Sequence, residues 1–232
     1  MSSEAQSLKK QAAEYTVNHY IESGMIVGLG EGSTSRLALE CLADNLKNGK
    51  IRNIIGIPTS EGIRSKAAEL GISLSTLDEH PLIDLTFDGA DEVDPNLNLI
   101  KGGGGSLLRE KIVAQASRRE IIMVDESKLV PVLGATWALP IEVLPFGLGA
   151  HVEFLKSSGG EPVLRKNKDG SIYQTNQNNY ILDTNFGKIE NPAQLGETLK
   201  THAGIVEHGL FIGLATAVVV AGENGIRVLT ID

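Results

Sequence analysis

Two carboxylates stand three residues apart in Phe87-Asp-Gly-Ala-Asp-Glu-Val-Asp-Pro95. Asp88 and Asp91, so close in sequence, can divide acid and base work, the charge of one raising the pKa of the other. The segment ends an apolar run, and open α/β sheets bind their ligands at the carboxyl ends of strands. Two other readings stay open at this point. Asp88, Asp91, Glu92 and Asp94 offer oxygen ligands to a metal, without the D-x-D-x-D-G spacing of a calcium loop. A polar turn closed by Pro95 is the plainer one.

Lys101-Gly-Gly-Gly-Gly-Ser-Leu-Leu-Arg-Glu-Lys111 follows closely. Consecutive glycines lose much backbone entropy on ordering, so such a run is a linker or a place where a ligand meets the backbone. Its position between an apolar strand (Leu97 to Ile100) and a helix favours the second. Lys101 stands at the mouth of this loop. Glu110, about one turn into the helix, can face back toward it, or else pair on the surface with Arg109 or Lys111.

Gly28-Leu-Gly-Glu-Gly-Ser-Thr-Ser35 leaves an apolar strand and opens a helix. That geometry aims backbone N–H groups and the helix dipole at one point, where an anion binds. Ser33, Thr34 and Ser35 add hydroxyls. The glycine spacing breaks the dinucleotide fingerprint at Ser33, and no Gly-Lys-Ser/Thr of a Walker loop follows.

The elements needed to position these segments read as alternating strands and helices. Helix is expected over Ala5 to Ile21, from Ser33 or Thr34 (either of which can cap) to Leu46, from Ser60 to Gly71, and over Ser106 to Ala116. Strand is expected over Met25–Leu29, Ile51–Ile57, Ile72–Ser75, Leu82–Phe87 and Glu120–Val124. Such alternation implies βαβ units and a doubly wound, mostly parallel, Rossmann-like sheet. After about Val130 the order becomes strand Ala138–Leu144, helix Ala150–Ser158, a hairpin of Glu161–Arg165 with Ser171–Thr175, strand Tyr180–Thr184, helix Pro192–His202 and strand Ile205–Glu207. This suggests a smaller ferredoxin-like α+β domain inserted before the C-terminal strands. The expected division is residues 1–130 plus 206–232 for the Rossmann-like catalytic domain and 131–205 for the small one.

Composition bounds the rest. The 232 residues are 41% hydrophobic and 22% charged, as in an ordinary globular protein. A net charge of −8 without a basic run argues against nucleic acid. The longest late apolar run, Leu214 to Gly222, is too short for a bilayer, and no signal-peptide pattern is seen. One cysteine, Cys41, makes an internal disulfide framework impossible, so the cytoplasm is the expected compartment. Cys41 is read as core, and the five histidines, scattered without metal or triad spacing, as structural or exposed.

Together these segments resemble the A-type ribose-5-phosphate isomerase family, over nearly the whole chain. The resemblance extends to Val124-Asp-Glu-Ser-Lys128 and Leu139-Pro-Ile-Glu-Val-Leu-Pro145. It implies catalytic roles for Asp88, Asp91, Lys101 and Glu110. It implies substrate contacts from Glu31, Gly32, Ser33 and Thr34, from Gly89, Ala90 and Gly102 to Gly104, and from Lys128, with Lys9 or Lys10 a further contributor. Glu31 stands where the family often carries threonine, and is expected to point to solvent, away from phosphate. The resemblance further implies interconversion of ribose 5-phosphate and ribulose 5-phosphate without metal or other cofactor, and a homodimer or homotetramer. The expected chemistry is proton transfer through an enediolate. Glu110 moves the proton, Lys101 and a protonated Asp91 or Asp88 hold the oxyanion, and Asp88 opens the ring. The rivals are a phosphosugar sensor like the effector domains of DeoR-type regulators, a sugar-phosphate deaminase/isomerase, a CoA transferase and, more remotely, a nucleotide-binding oxidoreductase. About 25 residues precede the first strand, fewer than a helix-turn-helix module needs.

Overall fold

The computed structural model describes residues 3–231, which divide into two compact units. The first comprises the described residues up to Ala90, Arg109–Lys128 and those from Gly213 on. The second comprises Asp91–Leu108 and Leu129–Ile212. The boundaries expected from sequence differ at 91–108, 129–130 and 206–212. The reason is a separate three-stranded sheet that draws these stretches together, described below.

In the first unit the chain runs α1 (Ser3–Tyr20), β1 (Ile26–Leu29), α2 (Ser33–Lys47), β2 (Ile55–Pro58), α3 (Glu61–Glu69) and β3 (Leu85–Asp88). After β4 (Glu92–Val93) and β5 (Leu99–Ile100), which belong to the second unit, α4 (Leu107–Gln115) leads into β6 (Glu120–Asp125) and a 3-10 turn, Glu126–Lys128.

The second unit continues with β7 (Leu139–Val143), α5 (Leu148–Ser157), β8 (Glu161–Leu164), β9 (Tyr180–Asn185), α6 (Pro192–Lys200), β10 (Ile205–His208) and β11 (Leu210–Phe211). The chain returns to the first unit with β12 (Ala217–Gly222) and β13 (Gly225–Leu229).

The first unit is built on a six-stranded sheet in the order β13-β12-β6-β3-β1-β2, parallel except for the β12–β13 hairpin. Alternation along each strand sends Val27, Leu29, Leu85, Phe87, Ile121, Met123 and Val219 to one face. There they meet Ala12, Ala13 and Val17 of α1, Ala38, Leu39 and Leu42 of α2, and Ile63 and Ala67 of α3. Ile57 and Ile83 pack with Val113 of α4 in a separate cluster. From β2 to β12 the order is that of a doubly wound sheet whose winding reverses between β1 and β3. Ligands bind at such reversals, outside the carboxyl ends of the strands.

The second unit carries β7-α5-β8-β9-α6-β10 as an antiparallel sheet in the order β10-β7-β9-β8. This is the ferredoxin-like arrangement read from the sequence. Its core is Leu139, Ile141, Val143, Leu155, Leu182 and Leu199. Asn191 caps α6 by accepting from Gln194 N, with Pro192 opening the helix. The expected hairpin of 161–165 with 171–175 is reduced to one bridge, Lys166 with Ile172, because β8 pairs with β9 instead.

The two longer stretches that shift the domain boundary form the three-stranded antiparallel sheet β11-β5-β4. The apolar run Leu97 to Ile100 therefore lies outside the main sheet, and only Leu99–Ile100 is strand. Leu97 has φ 57°, which breaks the extended run. Asn53, also at φ 57°, does the same to Ile51–Ile57. Ile72–Ser75 contributes a single bridge, Leu74 with Gly56. No helix among the described residues is long and apolar enough to cross a membrane.

Candidate active site

In the first unit, β1 and β3 end side by side, Leu29 opposite Phe87. The backbone of the following turn is pinned to β3 by Gly30 N, which donates to Phe87 O at 3.0 Å. Asp88, the last residue of β3, is buried. Its Oδ1 accepts from Ser35 Oγ at 3.0 Å and from Gly89 N at 2.7 Å, so the carboxylate is held in one orientation against the start of α2. Glycine at position 30 is required by this contact. A Cβ there would lie 2.3 Å from the Asp88 carboxyl and 2.5 Å from Phe87 O. Gly30→Ala is expected to lower stability by roughly 1–3 kcal/mol through overpacking and to displace Asp88, which thermal denaturation and turnover together check.

The helix start differs in detail from expectation. Neither Ser33 nor Thr34 is the cap. Gly32, at φ 108°, holds that position, and Ser33 is already helical. This frees the Ser33 hydroxyl, which accepts from Lys9 Nζ at 3.1 Å. Lys10 instead pairs with Glu14 at 3.6 Å along α1, so of the two lysines it is Lys9 that reaches the turn. Glu31 does not point to solvent. It accepts from Arg36 Nη2 at 2.9 Å, from Gly32 N at 3.0 Å and from Ser60 Oγ, the cap of α3. The Arg36 guanidinium offsets a charge that would otherwise repel a bound anion.

Glu110 is buried on α4. The alternative surface pairing with Arg109 is not what that arginine does: its Nη1 donates to Glu61 at 2.7 Å. Lys128 ends the 3-10 turn that follows β6, at the carboxyl edge of the sheet. Cys41 is a half-buried side chain of α2, and burial pushes its thiol pKa up, the opposite of what a nucleophile needs.

In the second unit, Asp91 Oδ2 accepts from Gly103 N at 2.8 Å, tying the aspartate to the glycine run. Lys101 is buried, with its backbone N donating to Gly209 O at 2.9 Å and its Nζ 5.3 Å from the centre of the Phe211 ring. Glu92 and Asp94 build turns. The Glu92 carboxylate accepts from Gly134 N, Thr136 N and Oγ1, and Trp137 N at 2.5 to 2.8 Å. Asp94 accepts from Asn96 N, Asn98 N and Asn98 Nδ2. No group of three or more His, Cys, Asp or Glu side chains placed to hold a metal occurs among the described residues.

Sequence reasoning missed Arg36 and Arg165. Arg36 carried a signal, since it lies one turn beyond a carboxylate that needed a counter-charge. Arg165 carried none. Its partners in the glycine run are 62 and 63 residues away.

Known proteins are similar to this chain over its full extent. The family model described as ribose 5-phosphate isomerase A (phosphoriboisomerase A) matches residues 55–225. A ribose-5-phosphate isomerase A of Desulfatibacillum aliphaticivorans is 52% identical, covering 95% of this chain and 96% of the relative. Another, of Chloroflexus aurantiacus, is 50% identical over 99% and 96%. A solved D-ribose-5-phosphate isomerase in complex with phospho-erythronic acid superposes with a TM-score of 0.95 at 38% identity, covering 100% of both chains. Ribose 5-phosphate isomerase from Plasmodium falciparum does so at 0.94 and 41% identity, covering 98% of this chain and 99% of that one. With its strand order, its two glycine-lined turns and these similarities, the chain belongs to the ribose 5-phosphate isomerase A family.

Proposed function

We propose that this protein interconverts D-ribose 5-phosphate and D-ribulose 5-phosphate, with Asp88, Asp91, Lys101 and Glu110 as its catalytic groups. The observation that carries the reading is the Ser35–Asp88 hydrogen bond. It ties an anion-accepting helix start to a buried carboxylate at the point where the sheet reverses its winding. A substrate with a phosphate at one end and a reactive carbonyl at the other needs both.

In this mechanism the phosphate is bound by Ser33, Thr34, the N–H groups that open α2, Lys9 and Lys128. Gly89, Ala90 and Gly102 to Gly104 meet the substrate through their backbone, and Glu31 and Gly32 shape the turn. Asp88 exchanges a proton with the ring oxygen as the furanose opens. Glu110 takes the proton from C2 of the open aldose. The electron pair left behind forms the C1–C2 double bond of an enediolate, and negative charge collects on O1. Lys101 and a protonated Asp91 or Asp88 stabilise that charge. The O2 hydroxyl proton passes to O1 through the protonated aspartate that holds the oxyanion, Glu110 returns its proton to C1, and O2 becomes the ketose carbonyl. Hydrogens and electrons balance within the substrate.

The test is turnover of ribose 5-phosphate by purified protein with excess chelator present. Robust, chelator-insensitive formation of ribulose 5-phosphate is expected. Absence of turnover, with ribose 5-phosphate still raising the melting temperature, would replace the enzyme with a sugar-phosphate sensor. The homodimer or homotetramer and the cytoplasmic location belong to the same reading. Light scattering on the purified protein tests the first.

A further inference from the structure

The four glycines at 102–105 pose a physical problem. Ordering a residue's backbone costs roughly 1–2 kcal/mol, and glycine has the most freedom to lose. A loop meant to present N–H groups to a ligand must nevertheless hold them still before the ligand arrives. The second unit contains the device that does this.

Arg165, just after β8, donates from Nη1 to Gly102 O at 3.0 Å and to Gly103 O at 3.2 Å. Its other edge is occupied by Asp183 of β9, which accepts from Nε at 2.8 Å and from Nη2 in a bidentate pair. The guanidinium also lies 5.7 Å from the centre of the Tyr173 ring, and the Tyr173 hydroxyl donates to Gly104 O at 3.4 Å. Three successive carbonyls of the run are thus drawn toward side chains that come from far along the chain.

The consequence follows from peptide geometry. In a planar trans peptide the C=O and the next N–H point in opposite directions. Pulling Gly102 O toward Arg165 turns the Gly103 N–H away from it. That N–H does point the other way, to Asp91 Oδ2 at 2.8 Å. By the same rule, holding Gly103 O turns the Gly104 N–H away from Arg165. The positive charge also polarises both peptides, making their N–H groups stronger donors.

We propose that Arg165, oriented by Asp183, is a positioning residue of the isomerase. It fixes the peptide planes of Gly102–Gly104 so that Asp91 and the Gly104 N–H meet the reacting end of the sugar phosphate already aligned. This rests on the isomerase reading given above. Arg165 acts through the glycine run, and only a planar, forked cation can hold Asp183 and two carbonyls at once.

The test compares wild type with Arg165→Met, Arg165→Lys and Asp183→Asn, measuring kcat and KM for ribose 5-phosphate and the affinity for phospho-erythronic acid. Amide hydrogen exchange at Gly103 is followed in parallel. The expected result for Arg165→Met is a kcat loss of roughly 10- to 100-fold, the size that follows when reacting groups are misplaced. KM should change far less, phospho-erythronic acid binding should weaken, and Gly103 exchange should quicken. Arg165→Lys, with the charge but not the fork, should recover only a minor part of the loss. Asp183→Asn should show the same pattern more weakly, and it supplies the readout if Arg165→Met fails to fold. A folded Arg165→Met with kcat within twofold of wild type overturns the proposal. So does full recovery by lysine, a loss confined to KM, or, where only Asp183→Asn folds, unchanged kcat and Gly103 exchange in it. Failure of the wild type itself to isomerise ribose 5-phosphate overturns the parent reading instead.

Discussion

Glu110→Gln is expected to reduce kcat by about 10²- to 10⁴-fold, the range spanned by loss of a positioned general base. The carboxylate is buried on α4, and the amide has nearly its shape, so the change removes basicity without opening a cavity. Binding is therefore expected to survive. KM for ribose 5-phosphate should shift little, and the melting temperature should stay close to that of the wild type. Isomerisation in deuterated water supplies a second check, because the wild type should wash solvent deuterium into the sugar and the variant should not. Near-normal turnover would move the base to another residue, with Asp88 the first alternative.

Lys101→Met should lower kcat by about 10²- to 10³-fold, as when one donor to a developing oxyanion is lost. Methionine keeps the unbranched stem beside Phe211, and the backbone bond from residue 101 to Gly209 O is untouched by any side-chain change. The fold should thus hold while the charge disappears. The discriminating measurement is the affinity for phospho-erythronic acid, whose carboxylate resembles the enediolate in charge. It should fall in step with kcat, while KM for the neutral-headed substrate rises modestly. A variant that loses only KM would make Lys101 a binding residue, with no share in stabilising the transition state.

Much of this arrangement was legible in the sequence, for identifiable reasons. The strands of the main sheet read as short continuous apolar runs, as strands buried on both faces do, and the order β-α-β-β-α-β of the second unit survives small errors at element ends. The errors cluster where a single residue overrides an apolar run. Leu97 and Asn53 take positive φ, which hydrophobicity does not report. The long-range ties were also hidden. Glu31 was expected to face water because only its charge was considered. The fold supplies Arg36 and Ser60 on its other side, which makes the inward orientation the lower in energy. Nor does the spacing of Asp88 and Asp91 announce their anchors, Ser35 and Gly89 for the first and Gly103 for the second. Arg165 illustrates the limit, since an arginine that acts through backbone carbonyls leaves no motif.

The sheet of the first unit has a consequence for how the protein is made. Strand β6, all of whose residues are buried, pairs with β12, Ile121 opposite Ala217. The two strands leave the ribosome in the order of the chain, with the whole run 129–212 synthesised between them. At about 5–20 residues per second this leaves β6 without its neighbour for several seconds. During that interval an apolar edge is open to any other extended chain, the situation that promotes aggregation. Chains stalled or cut before Ala217 should accordingly be the insoluble ones, since β12 and β13, Ala217–Gly222 and Gly225–Leu229, complete the sheet.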